Sequence, residues 1–91
     1  MSWVIRYARS VEKDIRSLPP ELHRRLFQIL ADLTVTPIHS KAEKLSGYPA
    51  LYKIRLDRDN RIVYKVLKEK KTINLEYVGD RKNAYRFLRH R

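Results

Sequence analysis

The chain has 91 residues and carries 21 Lys and Arg against 10 Asp and Glu, a formal charge of +11; that length suits one domain, 1–91, with a modest core. It has no cysteine, which excludes a disulfide framework, a thiolate zinc site and a thiol nucleophile. Apolar residues are dispersed, so no membrane span is expected, and Met1–Tyr7 lacks the features of a secretory signal, so a cytoplasmic location is expected. The surplus of positive charge favours a polyanion or an acidic protein as partner.

In chain order, Trp3, Ile5 and Tyr7 alternate with Ser2, Val4 and Arg6, which predicts a first strand. Ser10 is a candidate cap for a helix with Val11, Ile15 and Leu18 on its apolar face and Glu12, Lys13 and Asp14 toward solvent. Pro19-Pro20 ends that helix and suits the first turn of a second, along which Leu22, Leu26, Ile29, Leu30 and Leu33 form an apolar stripe. Between Thr34 and Pro49 no period holds, and a connecting loop is expected.

From Leu51 a period of two returns, with Tyr52, Ile54 and Leu56 on one side and Leu51, Lys53 and Arg55 on the other. Asp57-Arg58-Asp59-Asn60 supplies turn residues before Arg61-Ile62-Val63-Tyr64-Lys65-Val66, so this pair reads as a hairpin. Lys68 to Lys71 form a second turn, Thr72 to Val78 a last strand, and Gly79-Asp80 introduces a final helix with Tyr85 and Leu88. The order β-α-α-β-β-β-α predicts an α+β fold, a helical hairpin covering one face of a small, mostly antiparallel sheet. Tyr52 and Tyr64 belong to the core.

The open face draws attention. Lys53 and Arg55 lie two apart on one strand and Arg61 opens its partner, so three cations become neighbours about 5 Å apart. Arg81 adds a fourth at the sheet's edge and Tyr85 follows one helical turn later, a grouping sized for a phosphate. RNA can be cut without metal or cofactor when its 2′-hydroxyl attacks the adjacent phosphate, given a base, a stabiliser of charge and an acid. Lys53 is the candidate base, because neighbouring guanidinium groups and desolvation disfavour its ammonium form. Arg61 and Arg81 would grip the phosphate, with Arg55, Lys65 and Arg86 supporting RNA binding. Tyr85 offers a ring for stacking and a phenol for proton transfer, and the sequence leaves both open.

Other constellations fall away. His23, His39 and His90 have neither metal-ligand nor ribonuclease-type spacing and are expected at the surface, His90 alone lying close enough to Tyr85 to reach substrate. Asp57, Asp59 and Asn60 lack the glycine and the later glutamate of a calcium loop. The serines have no evident histidine and acid partners, and two glycines cannot build a phosphate-binding glycine loop.

Lys44-Leu45-Ser46-Gly47, Tyr52-Lys53-Ile54-Arg55-Leu56, Arg61-Ile62-Val63-Tyr64 and Val78-Gly79-Asp80-Arg81 with Tyr85 resemble the RelE branch of the RelE/ParE toxin superfamily, over nearly the whole chain. The resemblance implies the toxin of a type II toxin–antitoxin pair, one that enters the ribosomal A site, touches 16S rRNA and cleaves messenger RNA to leave a 2′,3′-cyclic phosphate. It implies active residues at Lys53, Arg61, Arg81 and Tyr85, and an acidic antitoxin that wraps the sheet and helices. Two departures stand out: Arg55 occupies a position where such toxins often carry lysine, and Ala84 one where sister branches carry histidine. Two alternatives compete, a ParE-like inhibitor of DNA gyrase and a basic RNA-binding module without catalysis.

Overall fold

A computed structural model of the chain describes residues 2–89. Its elements run β1 (Val4–Tyr7), α1 (Arg9–Ser17), α2 (Pro20–Val35), β2 (Glu43–Lys44), β3 (Leu51–Arg55), β4 (Asn60–Leu67), β5 (Thr72–Asp80) and α3 (Arg81–Arg89). They build one five-stranded sheet in the order β1-β5-β4-β3-β2. β1 is parallel to β5 and every other pairing is antiparallel. This is the expected α+β fold with one strand added, since β2 lies inside the stretch read as loop. Two residues are too few to show a period, and β2 owes its place to pairing with Tyr52 and Lys53 of β3.

The helical hairpin forms where expected. Pro19 sits outside α2 in an extended conformation and Pro20 occupies its first turn, where the missing N–H costs nothing. α1 begins a residue before Ser10, with Ala8 at its N-cap and no side-chain cap bond. The Ala8 carbonyl accepts the N–H groups of Val11 and Glu12, and Val11, 1% exposed, is set into the core. His23 is half-buried rather than on the surface: its Nε2 lies 2.8 Å from the carbonyl of Ile15, which also accepts the Leu18 N–H at the end of α1. Asp14 is likewise half-buried instead of solvent-facing. Burial raises its carboxyl pKa, partly offset by a hydrogen bond from the backbone of Val78.

The main core lies between this hairpin and the sheet. Val11, Leu18, Leu22, Leu26 and Leu33 meet Ile54, Leu56, Ile62, Tyr64, Val66, Ile73, Leu75 and Val78. Each fully buried side chain of this size contributes about 1.5–3 kcal/mol. Tyr64 is fully buried, stacks on Tyr52 at 5.7 Å and accepts the N–H of His39 at 3.5 Å. That contact draws His39 off the surface expected for it, to 10% side-chain exposure, with its Nε2 3.1 Å from Asp32.

On the opposite face a smaller cluster, Leu51, Val63 and Leu88 with Leu45, Tyr48, Tyr77 and Phe87, seats α3. A register shift in β5 makes it possible: Val63 pairs with Tyr77 but Tyr64 with Leu75, so Leu75 joins the main core while Tyr77 joins this one. Tyr77 stacks on Phe87 at 5.7 Å, and the Tyr48 hydroxyl donates to the Leu88 carbonyl at 3.2 Å. Among the described residues no helix is long and apolar enough to cross a membrane.

Candidate functional site

The pleat of β3 and β4 places the cations. Arg55 pairs with Arg61, and Arg61 in turn with Gly79, forming one row across the α3 side of the sheet. Glu43, Lys53, Val63 and Tyr77 form the next row. Gly79 contributes no side chain to the first row, because a Cβ there would lie 2.6 Å from the Tyr77 hydroxyl, and its φ of +156° is one few other residues adopt. That hydroxyl donates to the Asp80 carbonyl at 3.2 Å. Asp80 then caps α3, its carboxylate accepting the backbone N–H of Asn83 at 2.7 Å and the Asn83 side-chain amide at 2.9 Å. The chain thus turns sharply from sheet to helix just where Arg81 begins.

Arg81 and Tyr85, four apart, share one side of α3. The Tyr85 ring centre lies 5.7 Å from the Arg81 guanidinium and 6.0 Å from the Lys53 ammonium, with the residue 44% exposed. Hydrogen bonding by Arg81, followed by the charges of Lys53 and Arg81 and then that of Arg61, holds the Tyr85 phenol below its ordinary pKa of 10.0. The half-buried Lys53 has its Nζ 4.0 Å from the exposed Glu43 carboxylate, a long, solvent-screened ion pair. Beside Tyr85 an open hollow is bordered by Asp59, Asp80, Arg81, Lys82 and Asn83.

The β3–β4 turn fixes the other arginine. Arg61 Nη1 donates to the carbonyls of Asp57 at 2.9 Å, Asn60 at 3.0 Å and Arg58 at 3.4 Å. The same turn accepts the Arg81 backbone N–H on the Asp59 carbonyl at 2.8 Å. The two arginines, 20 positions apart in sequence, therefore share one four-residue anchor.

Of the residues expected at this site, Lys53, Arg55, Arg61, Arg81 and Tyr85 come together. Lys65 shares their face but pairs with Leu51 and Asn74, on the far side of the Lys53–Val63 row from Arg61. Arg86 is exposed one position beyond Tyr85, turned about 100° away around the helix. His90 lies outside the described residues. Glu43 is the neighbour that sequence reasoning missed, and its only signal, a carboxylate in an aperiodic stretch, does not locate it.

The model of the ParE toxin of the type II toxin–antitoxin system parDE matches residues 5–85. No curated protein matches the chain. Among solved structures, a free Escherichia coli RelE toxin mutant is 27% identical, with a TM-score of 0.79 over 93% of this chain and 90% of its own. The RelE of an archaeal RelE–RelB complex from Pyrococcus horikoshii OT3 is 28% identical, with a TM-score of 0.77 over 89% and 97%. A chain of the intact Escherichia coli RelBE toxin–antitoxin complex is 29% identical, with a TM-score of 0.77 over 87% and 96%. The chain belongs to the ParE toxin family of type II toxin–antitoxin systems, within the RelE/ParE superfamily, and its fold is that of the RelE toxins.

Proposed function

We propose that this toxin is a ribosome-dependent endoribonuclease that cleaves messenger RNA in the A site by attack of the RNA's own 2′-hydroxyl, without a metal. The observation that carries the reading is the convergence of Lys53, Arg61, Arg81 and Tyr85, whose charges already act on one phenol. In the step, the 2′-oxygen bonds to phosphorus and the bond to the 5′-oxygen breaks. The 2′-proton passes to a base and the departing 5′-oxygen takes a proton, leaving a 2′,3′-cyclic phosphate and a 5′-hydroxyl. Arg61 and Arg81 bind the phosphoryl oxygens, where fixed cations favour the charge that builds in the transition state. Lys53 is the base of the sequence-based reading. The lowered phenol pKa supports a second assignment, with Tyr85 taking the proton and the Lys53 and Arg81 charges favouring its phenolate.

The partner in the resting state is an acidic antitoxin, a reading supported by the RelB-bound RelE structures to which the chain is similar and by its charge of +11. Its affinity should fall as salt rises. Incubating the purified toxin with translating ribosomes tests the nuclease reading. Fragments should end in a 2′,3′-cyclic phosphate, and a message with 2′-deoxyribose at the cleaved nucleotide should survive. Cleavage of the deoxy message, or fragments with 5′-phosphate ends, would overturn the mechanism. Loss of gyrase supercoiling with RNA intact would instead make the chain a ParE-like inhibitor of that enzyme. Binding of RNA without cleavage would leave the non-catalytic RNA-binding module.

A further inference from the structure

We infer that Asp57 is a positioning residue of this site: its carboxylate shapes the β3–β4 turn so that the turn's carbonyls hold both Arg61 and the start of α3. What the arginines do rests on the nuclease reading above, whereas the anchoring itself is a matter of geometry alone. Asp57 Oδ1 accepts the backbone N–H of Asp59 at 2.9 Å, the backbone N–H of Asn60 at 2.7 Å and the Asn60 side-chain amide at 3.1 Å. Three donors on one oxygen satisfy the inner amides of the turn with a side chain, the use to which aspartate is suited in turns. The turn's carbonyls are left to other donors, that of Asn60 taking the Leu56 and Asp57 N–H groups as well. The carbonyls of Asp57, Arg58 and Asn60 receive Arg61 Nη1, and that of Asp59 receives the Arg81 N–H.

The consequence for chemistry is directional. An exposed arginine samples many rotamers, and a guanidinium delivers two parallel hydrogen bonds to a phosphate only when its plane is set. Tying Nη1 to three carbonyls sets that plane and leaves the Nε and Nη2 hydrogens, which have no protein partner among the described residues, for the ligand. Burial alone would raise the Asp57 carboxyl pKa, but the Asp59 and Asn60 hydrogen bonds and the nearby Arg61 charge outweigh it and hold the group ionised. A turn that only joined two strands would need no such convergence on one arginine and one helix start.

Cleavage on ribosomes, measured for the parent chain, Asp57→Ala, Asp57→Asn, Arg61→Ala and the Asp57→Ala/Arg61→Ala pair, tests this. Asp57→Ala should lower kcat between about tenfold and a hundredfold, the effect of a misplaced rather than a missing group. Asp57→Asn keeps an oxygen in the same place and should restore most of the rate. The Asp57→Ala loss should shrink in the Arg61→Ala background, as for residues that act through one another. Near-parental cleavage by Asp57→Ala, or an undiminished loss without Arg61, would overturn the inference. Should the parent chain cut nothing, the nuclease reading fails and the anchoring is decided by nuclear magnetic resonance. Slowly exchanging Arg61 Nη1 hydrogens in the parent and in Asp57→Asn that are lost in Asp57→Ala support it, and signals unchanged in Asp57→Ala overturn it. Thermal melting of each variant separates misplacement from unfolding.

Discussion

The two faces of the sheet are built from the same strands to opposite ends. On β3 and β4, Ile54 pairs with Ile62 beneath the helical hairpin, and one residue along, Arg55 pairs with Arg61 on the face toward α3. The first pair is fully buried, with the 0% exposure shared by Leu26, Leu33 and Tyr64. The second sets two guanidinium groups directly across from each other, an arrangement that costs stability in an antiparallel ladder. The pleat therefore separates the tasks: one side of each strand faces the main core, and the other, beyond the smaller cluster of Leu51 and Val63 under α3, holds a cation cluster that folding energy has to offset. Binding a polyanion reverses the sign of that repulsion, so the face that opposes folding is the one suited to a ligand.

The comparison breaks most readily on its apolar side. Leu26→Ala, which opens a cavity where α2 meets the sheet, should cost about 2–5 kcal/mol in denaturant unfolding. A loss well under that range would mean that the helical face does not carry the fold. On the charged side Arg81→Ala should do the reverse. Stability should change by no more than about 0.5 kcal/mol, because the side chain is exposed. Cleavage should fall by about 10²–10³, the usual effect of removing one fixed stabiliser of transition-state charge. Full activity in a well-folded Arg81→Ala would remove Arg81 from the site.

The legibility of the sequence followed the same division. The apolar stripe of α2, the inward Tyr52 and Tyr64, the Pro19-Pro20 break and the β3–β4 hairpin were readable because burial imposes a period on the chain. The gathering of Lys53, Arg55 and Arg61 followed from strand alternation and one short turn. What escaped were features fixed by tertiary contact. β2 is held by pairing with its neighbour β3, and Glu43 reaches Lys53 across it. His39 is drawn under the surface by Tyr64 and Asp32. The Asp57 turn was recognisable as a turn, but that its carbonyls would point at Arg61 is written in no local pattern.

Gly79 is where the two faces meet, and its substitution sharpens the contrast by damaging both. Gly79→Ala places a methyl group 2.6 Å from the Tyr77 hydroxyl and 3.0 Å from its Cζ, while Phe87 stacks on the same ring. The ring must shift and carry α3 with it, so a loss of about 1–3 kcal/mol in stability is expected, as for other overpacked sites, together with weaker cleavage from a displaced Arg81 and Tyr85. Adding Tyr77→Phe removes the nearest clashing atom and should recover part of both losses. A double variant no better than the single one would point to the φ of +156° as the sole source of the strain.

The tyrosines give the smallest effect and the most direct reading of the environments. Tyr64, beneath the helices, is pushed up to about 12, first by burial, and Tyr77, behind α3, is also pushed up to about 12, again first by burial. Tyr85 is displaced the other way, first by its hydrogen bond with Arg81 and then by the Lys53 and Arg81 charges. In an ultraviolet titration of tyrosinate, Tyr85 should ionise below the ordinary range near 10, a step absent from Tyr85→Phe and moved upward in Arg81→Ala. Tyr64 and Tyr77 have folded values above their unfolded ones, so the stability tied to their protonated phenols is complete below pH of about 10 and lost as pH rises toward about 12. Tyr85 has the opposite linkage: its phenolate is favoured by the fold, so its contribution grows with pH above the depressed value and disappears as pH falls through it. If Tyr85 is also the base for RNA cleavage, kcat/KM climbs with pH up to that same depressed value and Tyr85→Phe flattens the climb. A climb that persists in Tyr85→Phe but vanishes in Lys53→Met would return the base to Lys53 and leave Tyr85 to stack on the RNA base.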